Sequence, residues 1–224
     1  MDLSIQIKLN NKLFLRNPED TELGKDILKF SIVLIHKLGV EHFTFKKLAD
    51  EVGTTEASVY RYFENKHLLL VYLVSWYWTW LEYQIVFQTN NITNPHQKLK
   101  KMIQIIGSHV VDDQSTAHIN EYLLYEIVMS EGIKAYMTKH VKSDNAHQFF
   151  KPYKDLCNRI AEVMLSCNPN YKYPHSLTST LIESAHIQNY FRINLPSLTD
   201  FDQPNDATLV IDFLEDLVFR ALFG

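Results

Sequence analysis

Cysteine is almost missing from this chain, with only Cys157 and Cys167 among 224 residues. Two cysteines cannot build a disulfide framework, and no charged-then-apolar leader precedes the first structured segment, so a reducing cytoplasm is the expected compartment. Chain breakers are also scarce. Six glycines and seven prolines beside 46% hydrophobic residues predict a compact, mainly helical globule. A long apolar run is lacking too: the best, Leu68 to Leu81, includes Ser75 and Thr79 and falls short of the ~20 residues a membrane span requires. No membrane partner is expected. Nor is there an excess of positive charge, since 22 Lys/Arg stand against 26 Asp/Glu for a net −4. Residues 1–66 carry ten of each, so contact with a polyanion would rest on local placement rather than bulk charge.

What is present is concentrated in residues 44–73, TFKKLADEVGTTEASVYRYFENKHLLLVYL. Leu48, Ala49 and Val52 share one face of a short helix, and Val59 and Phe63 fall four apart on a second, so the two can share a small core. Thr44 and Thr55 are the expected N-caps, and Gly53 the sharp turn between the helices. This spacing predicts a helix-turn-helix. On its second helix Glu56, Ala57, Ser58, Tyr60, Arg61 and Tyr62 point away from the shared core or sit at the helix start, the face that enters a DNA major groove.

The same residues resemble the N-terminal domain of TetR-family transcriptional regulators. The motif stands here as Thr44, Leu48-Ala49, Gly53, Thr55, Tyr60-Arg61-Tyr62-Phe63 and Lys66, and the likeness spans about residues 21–73. It implies an all-α fold: a three-helix DNA-binding domain at 21–66 and a helical ligand-binding and dimerisation domain at 67–224, after an N-terminal extension at 1–20. It further implies a homodimer, a double-stranded DNA operator and a small-molecule effector. A palindromic operator suits two recognition helices about 34 Å apart, or a multiple of one turn. The last two helices, which in the family pair with their twofold mates, place Leu181, Phe191, Phe213, Leu214, Leu217 and Ala221 at the dimer interface.

Each proposed DNA contact has a chemical reason. Arg61 offers forked donors that match guanine O6 and N7, with a phosphate contact as the alternative. Ala57 and Ser58 are small enough for close approach, and Ala57 or the Thr55 methyl suits a thymine methyl. Glu56 suits cytosine or the positive end of its own helix. Tyr60 and Tyr62 have hydroxyls for phosphates, Tyr60 the more so because the family motif carries it, though either ring could instead pack on the scaffold helix. Lys46 and Lys47 offer ammonium groups, and Lys66, after Asn65 at the start of the next helix, does so beside a helix N-terminus.

Elsewhere, Ile5, Ile7 and Leu9, the turn Asn10-Asn11, then Leu13 and Leu15 predict a short β-hairpin docked on the body of the protein. The alternative is a basic arm carrying Lys8, Lys12 and Arg16 to a minor groove. A scaffold helix is expected at 22–38, with Leu23, Ile27, Phe30, Leu34 and Leu38 on one face, Gly39 as its stop, and Phe43 and Phe45 plugging the junction that follows. A long helix over 66–88, apolar nearly all round, would begin in the reading domain and end inside the C-terminal one. On it Trp76, Trp80 and Tyr83, with Glu82, could line a cavity for an aromatic or cationic ligand, though plain core is the commoner use of such a stripe. Further helices are expected at 95–111, 116–130, 132–142, 146–166, 175–194 and 205–223, with breaks at Asp112-Asp113, Gly132, Ser143-Asp144-Asn145, Asn168-Pro169, Pro196 and Pro204.

The ten histidines do not amount to a metal site. His140 and His147 stand seven apart around Asp144, not the three or four that suits a helix, and His109 with Asp112 and Asp113 is no better defined. No cofactor is expected, and no nucleophile, base and orienting group fall in a catalytic pattern. The reading is therefore a DNA-binding regulator, against the alternatives of a regulator with no inducer pocket or a helical protein- or ligand-binding module.

Overall fold

A computed structural model describes residues 7–108, 110, 116, 118–201 and 207–224. Ile5, His109, Asp112, Asp113 and Pro204 lie outside these residues. Among the described residues the regular structure is helical, with no strand. The helices are α1 (Glu22–His42), α2 (Phe45–Val52), α3 (Glu56–Tyr60), α4 (Lys66–Thr89), α5 (Pro95–Gly107), α6 (Glu121–Glu131), α7 (Ile133–Tyr136), α8 (Val141–Ala146), α9 (Lys151–Cys167), α10 (Pro174–Asn194) and α11 (Thr208–Phe223).

The chain divides into two compact units, Met1–Thr79 with Val110–Pro152 and Trp80–His109 with Tyr153–Gly224. In the first, α1 packs on α2 and on α6. Its buried face is Ile27, Leu28, Ile32, Leu34 and Ile35, so of the expected stripe only Ile27 and Leu34 are buried, while Leu23, Phe30 and Leu38 are half-buried. Thr21 caps α1 by accepting from the Gly24 N–H at 3.0 Å. Gly39 sits at φ 72° near its end, as the expected stop requires, although the helix resumes for one more turn.

The expected hairpin does not form among the described residues. Asn10 Oδ1 accepts from the Lys12 N–H at 3.0 Å and turns Asn11–Leu13 into a 3-10 helix in place of a second strand. The segment nevertheless docks: Leu13 and Ile7 are buried, and the Leu15 N–H donates to the Tyr62 carbonyl at 2.8 Å. The helix expected over 132–142 is also interrupted. It stops at Met137, where Thr138 Oγ1 accepts from the His140 N–H at 3.2 Å and offers the backbone an alternative to helix. Similarly α6 starts at Glu121 and not at 116, because Asn120 Oδ1 caps the Leu123 N–H at 2.7 Å.

The second unit is a bundle in which α10 and α11 pack on each other and on α5. Leu99, Met102, Ile103, Ile160, Met164, Leu181, Ile182, Val210, Leu214 and Val218 form its core. Asn189 Nδ2 donates to the Gly107 carbonyl at 3.2 Å, satisfying a buried backbone acceptor between α10 and α5.

Candidate DNA-reading site

Helices α2 and α3 are joined as their residues dictate. Gly53 adopts φ 74°, ψ 36°, the left-handed conformation that closes a helix and turns the chain. Thr44 Oγ1 caps the Lys47 N–H and Thr55 Oγ1 the Ser58 N–H, both at 3.2 Å. Leu48, Ala49, Val59 and Phe63 close the shared core, while Phe43 and Phe45 meet edge to face at 6.2 Å under it. Two buried faces fix the third: whatever remains on α3 must face solvent.

That remainder is Glu56, Ala57, Tyr60 and Arg61, all exposed, with Ser58 half-buried and its hydroxyl 2.9 Å from that of Thr55. Tyr60 is 47% exposed, and its ring rests edge-on against Phe45 at 5.0 Å, which points the phenol outward from a fixed base. Lys46 and Lys47 are exposed on α2, and Lys47 Nζ donates to the His42 carbonyl at 2.9 Å. Lys66 Nζ opens α4 and donates to the carbonyls of Val40 and Glu41 at 3.0 and 3.2 Å. The exposed polar groups of α2, α3 and the start of α4 thus include three ammonium groups, a guanidinium and a phenol.

Tyr62 departs from this set. It is only 2% exposed, with its hydroxyl 2.8 Å from Thr21 Oγ1 and Arg16 stacked over its ring at 5.5 Å. The residue binds the N-terminal segment and α1 to the end of α3. The sequence left packing on the scaffold helix open for either ring, because both Tyr60 and Tyr62 are amphipathic and a two-residue offset decides which one faces inward.

The other expected sites are placed as follows. Trp76 is buried in the first unit and Trp80 in the second, as core side chains. Within the second unit Glu82 pairs with Arg159 at 2.7 Å, and Tyr83 is exposed and stacked on Phe87 at 6.0 Å. Two cavities, of about 590 and 340 Å³, lie in the first unit, and none of these four residues lines them. Of the expected dimer face, Leu181 and Leu214 are buried inside the bundle, Phe191 and Leu217 are half-buried, and Phe213 and Ala221 are exposed. Among the described residues no group of three or more His, Cys, Asp or Glu is placed to hold a metal, and no helix is long and apolar enough to cross a membrane.

Residues 27–73 match the family model of bacterial regulatory proteins, tetR family. Residues 27–73 are thus a DNA-binding domain of the TetR type. The comparison with curated protein sequences gives no significant match. Among solved structures, the fatty acid degradation regulator FadR from Bacillus halodurans superposes with a TM-score of 0.62 at 16% identity, over 91% of this chain and 96% of that one. AibR in complex with isovaleryl coenzyme A and operator DNA gives 0.59 at 17% identity, over 88% and 98%. The ketosteroid transcriptional regulator KstR2 of Mycobacterium tuberculosis gives 0.57 at 13%, over 90% and 95%. At these identities the structural likeness establishes a shared fold.

Proposed function

We propose that the chain is a sequence-specific regulator that binds a palindromic DNA operator as a homodimer, acts as a repressor in the cytoplasm, and releases DNA when a small molecule occupies its C-terminal helical domain. The observation that carries this reading is the exposed face of α3, which offers Tyr60 and Arg61 to solvent, with Lys46 and Lys47 exposed on α2 and Lys66 exposed at the start of α4. Phosphate contacts fix the register and Arg61 reads a base edge. Nothing in the arrangement assigns a catalytic role.

A dimer is favoured by apolar surface on the last two helices, where Ile187, Leu209 and Phe213 keep 43, 44 and 40% of their area exposed. Such surface on adjoining helices suits burial against a second copy. Control by an effector is favoured by the family likeness, AibR having been solved with both isovaleryl coenzyme A and operator DNA. The effector must bind the DNA-free arrangement more tightly than the DNA-bound one, or it shifts nothing.

The test is fluorescence anisotropy of the purified protein on fragments of its own upstream DNA, with excess random competitor and a salt series, beside an Arg61→Ala, Lys66→Ala double variant. Saturable, salt-sensitive binding that survives competitor and collapses in the variant is the expected result. Equal weak binding to every fragment by both proteins would sink the reading.

A further inference from the structure

Residues 1–66, which include the helix-turn-helix, carry no net positive charge, yet a positive segment from elsewhere in the sequence folds into the same unit. Between Gly132 and Pro152 there are four lysines, Lys134, Lys139, Lys142 and Lys151, and one carboxylate, Asp144. That carboxylate is buried, with Oδ2 2.9 Å from His67 Nε2 in the first turn of α4. It therefore fastens the segment to α4 and does not offset the lysines outward. Lys139, His140, Lys142 and His147 remain exposed.

The segment is held firmly where it lies. Ser75 Oγ of α4 donates to the Phe149 carbonyl at 3.1 Å, and Asn10 Nδ2 donates to the His147 carbonyl at 2.7 Å. Gln148 takes φ 63°, uncommon for a residue with a side chain, and the Phe149 N–H donates to the Asp144 carbonyl at 3.1 Å around it. Lys134 pairs with Glu131 at 2.8 Å and with Glu41 near the end of α1 at 3.2 Å, so the segment's outward charge comes from the other lysines. A groove of about 590 Å³ brings Lys12 of the N-terminal segment and, at the approach to α4, Glu64, Asn65 and Lys66 to the same rim as His140, Ser143 and His147. Most residues on this rim are exposed, and its donors do not gather into a metal site.

We propose that residues 134–151, with Lys139 and Lys142 foremost, form a second DNA-contacting surface that grips the phosphate backbone beside the stretch read by α3. The proposal rests on the DNA-binding reading above and supplies the positive charge that the reading domain itself lacks. Because the segment is ordered by Asp144, Phe149 and Asn10 before DNA arrives, little conformational entropy is lost on binding. Its contacts are to phosphates, so it adds affinity without sequence preference.

The experiment measures anisotropy of the full chain on two probes, the upstream fragment it selects and a random duplex roughly four helical turns long. The Lys139→Gln, Lys142→Gln variant is compared with wild type, with Arg61→Ala, Lys66→Ala, and with Lys101→Gln, Lys172→Gln, which removes the same charge from the second unit. The expected result is a drop of several-fold in affinity on both probes alike, with the slope of log affinity against log salt shallower by up to about 2, near 0.9 for each phosphate left unneutralised. The second-unit control should change neither. If the Lys139, Lys142 variant keeps wild-type affinity and slope while Arg61→Ala, Lys66→Ala collapses, the second surface is refuted and the regulator reading stands. If wild type binds neither probe, the regulator reading itself fails and takes this proposal with it. Both lysines are exposed, so unchanged melting of the variant will confirm that fold is not at issue.

Discussion

Lys66 Nζ lies 3.0 Å from the Val40 carbonyl oxygen, so the residue proposed to meet a DNA phosphate also closes the end of the helix beneath it. A cation at a helix C-terminus that also satisfies unpaired carbonyls contributes roughly 0.3–1 kcal/mol. Lys66→Ala should therefore lower the melting temperature slightly and weaken DNA binding, whereas Lys66→Met should do both with the aliphatic stem retained. Lys66→Arg separates the roles, keeping affinity within a few-fold if charge at the phosphate is what matters. Thermal melts beside DNA titrations of the three variants check this, and wild-type affinity in Lys66→Ala would remove the residue from the interface.

Tyr60 and Tyr62 should part company on removal of their hydroxyls. Tyr62→Phe loses the hydrogen bond with Thr21 Oγ1, a change of about 1 kcal/mol in stability, with little effect on DNA affinity because the ring is buried. Tyr60→Phe leaves stability unchanged, since its phenol is exposed, and weakens DNA binding several-fold if the hydroxyl meets a phosphate. Urea unfolding and anisotropy on the same two proteins decide the matter; the reverse pattern would mean that α3 presents its other face.

Much of this was legible in the residues because each signal was local. Thr44, Gly53 and Thr55 act within four positions of themselves, so caps and turn fell where the sequence put them. The long-range partners were not legible. His67 finds Asp144 across 77 positions, and His36 Nε2 finds Glu126 at 2.6 Å across 90, and no periodicity encodes such pairings. For the same reason the sequence did not reveal that α6 packs on α1, within the same unit as the reading helices. The hairpin expectation failed through competition, as the Asn10 side chain captured the Lys12 amide that a strand ladder needs. Trp76 and Trp80 are buried, as large apolar side chains on a helix apolar nearly all round commonly are.

Burial pushes the His186 imidazole down from its ordinary 6.5 to about 4. The folded state thus holds this histidine neutral where the unfolded chain would protonate it, and stability is lost as pH falls from about 6.5 through 4. The loss approaches about 1.4 kcal/mol per pH unit within that window and vanishes above it. Replacing His186 with Gln removes this contribution. The difference in unfolding free energy between wild type and His186→Gln, followed from pH 7 to pH 4.5, should shift steadily in favour of the variant. A pH-independent difference would mean that the imidazole is protonated in the folded chain.

Phe213 and Leu214 are neighbours on α11 with opposite surroundings, 40% and 0% exposed. The difference separates folding from assembly. Leu214→Glu places a carboxylate in the bundle core beside Val210 and Val218, also fully buried, and should unfold the second unit or cost several kcal/mol. Phe213→Glu puts the same charge on the outer face, where a folded monomer loses little but two copies joined through α11 must bury it. Sedimentation equilibrium should then show a folded monomer for Phe213→Glu at concentrations where wild type is dimeric. DNA binding by that monomer should fall steeply, because one recognition helix reads only a half-site and the coupling between the two half-sites is gone. If Phe213→Glu remains dimeric and binds the operator normally, the contact between copies lies on another face, and Ile187 on α10 becomes the next position to charge.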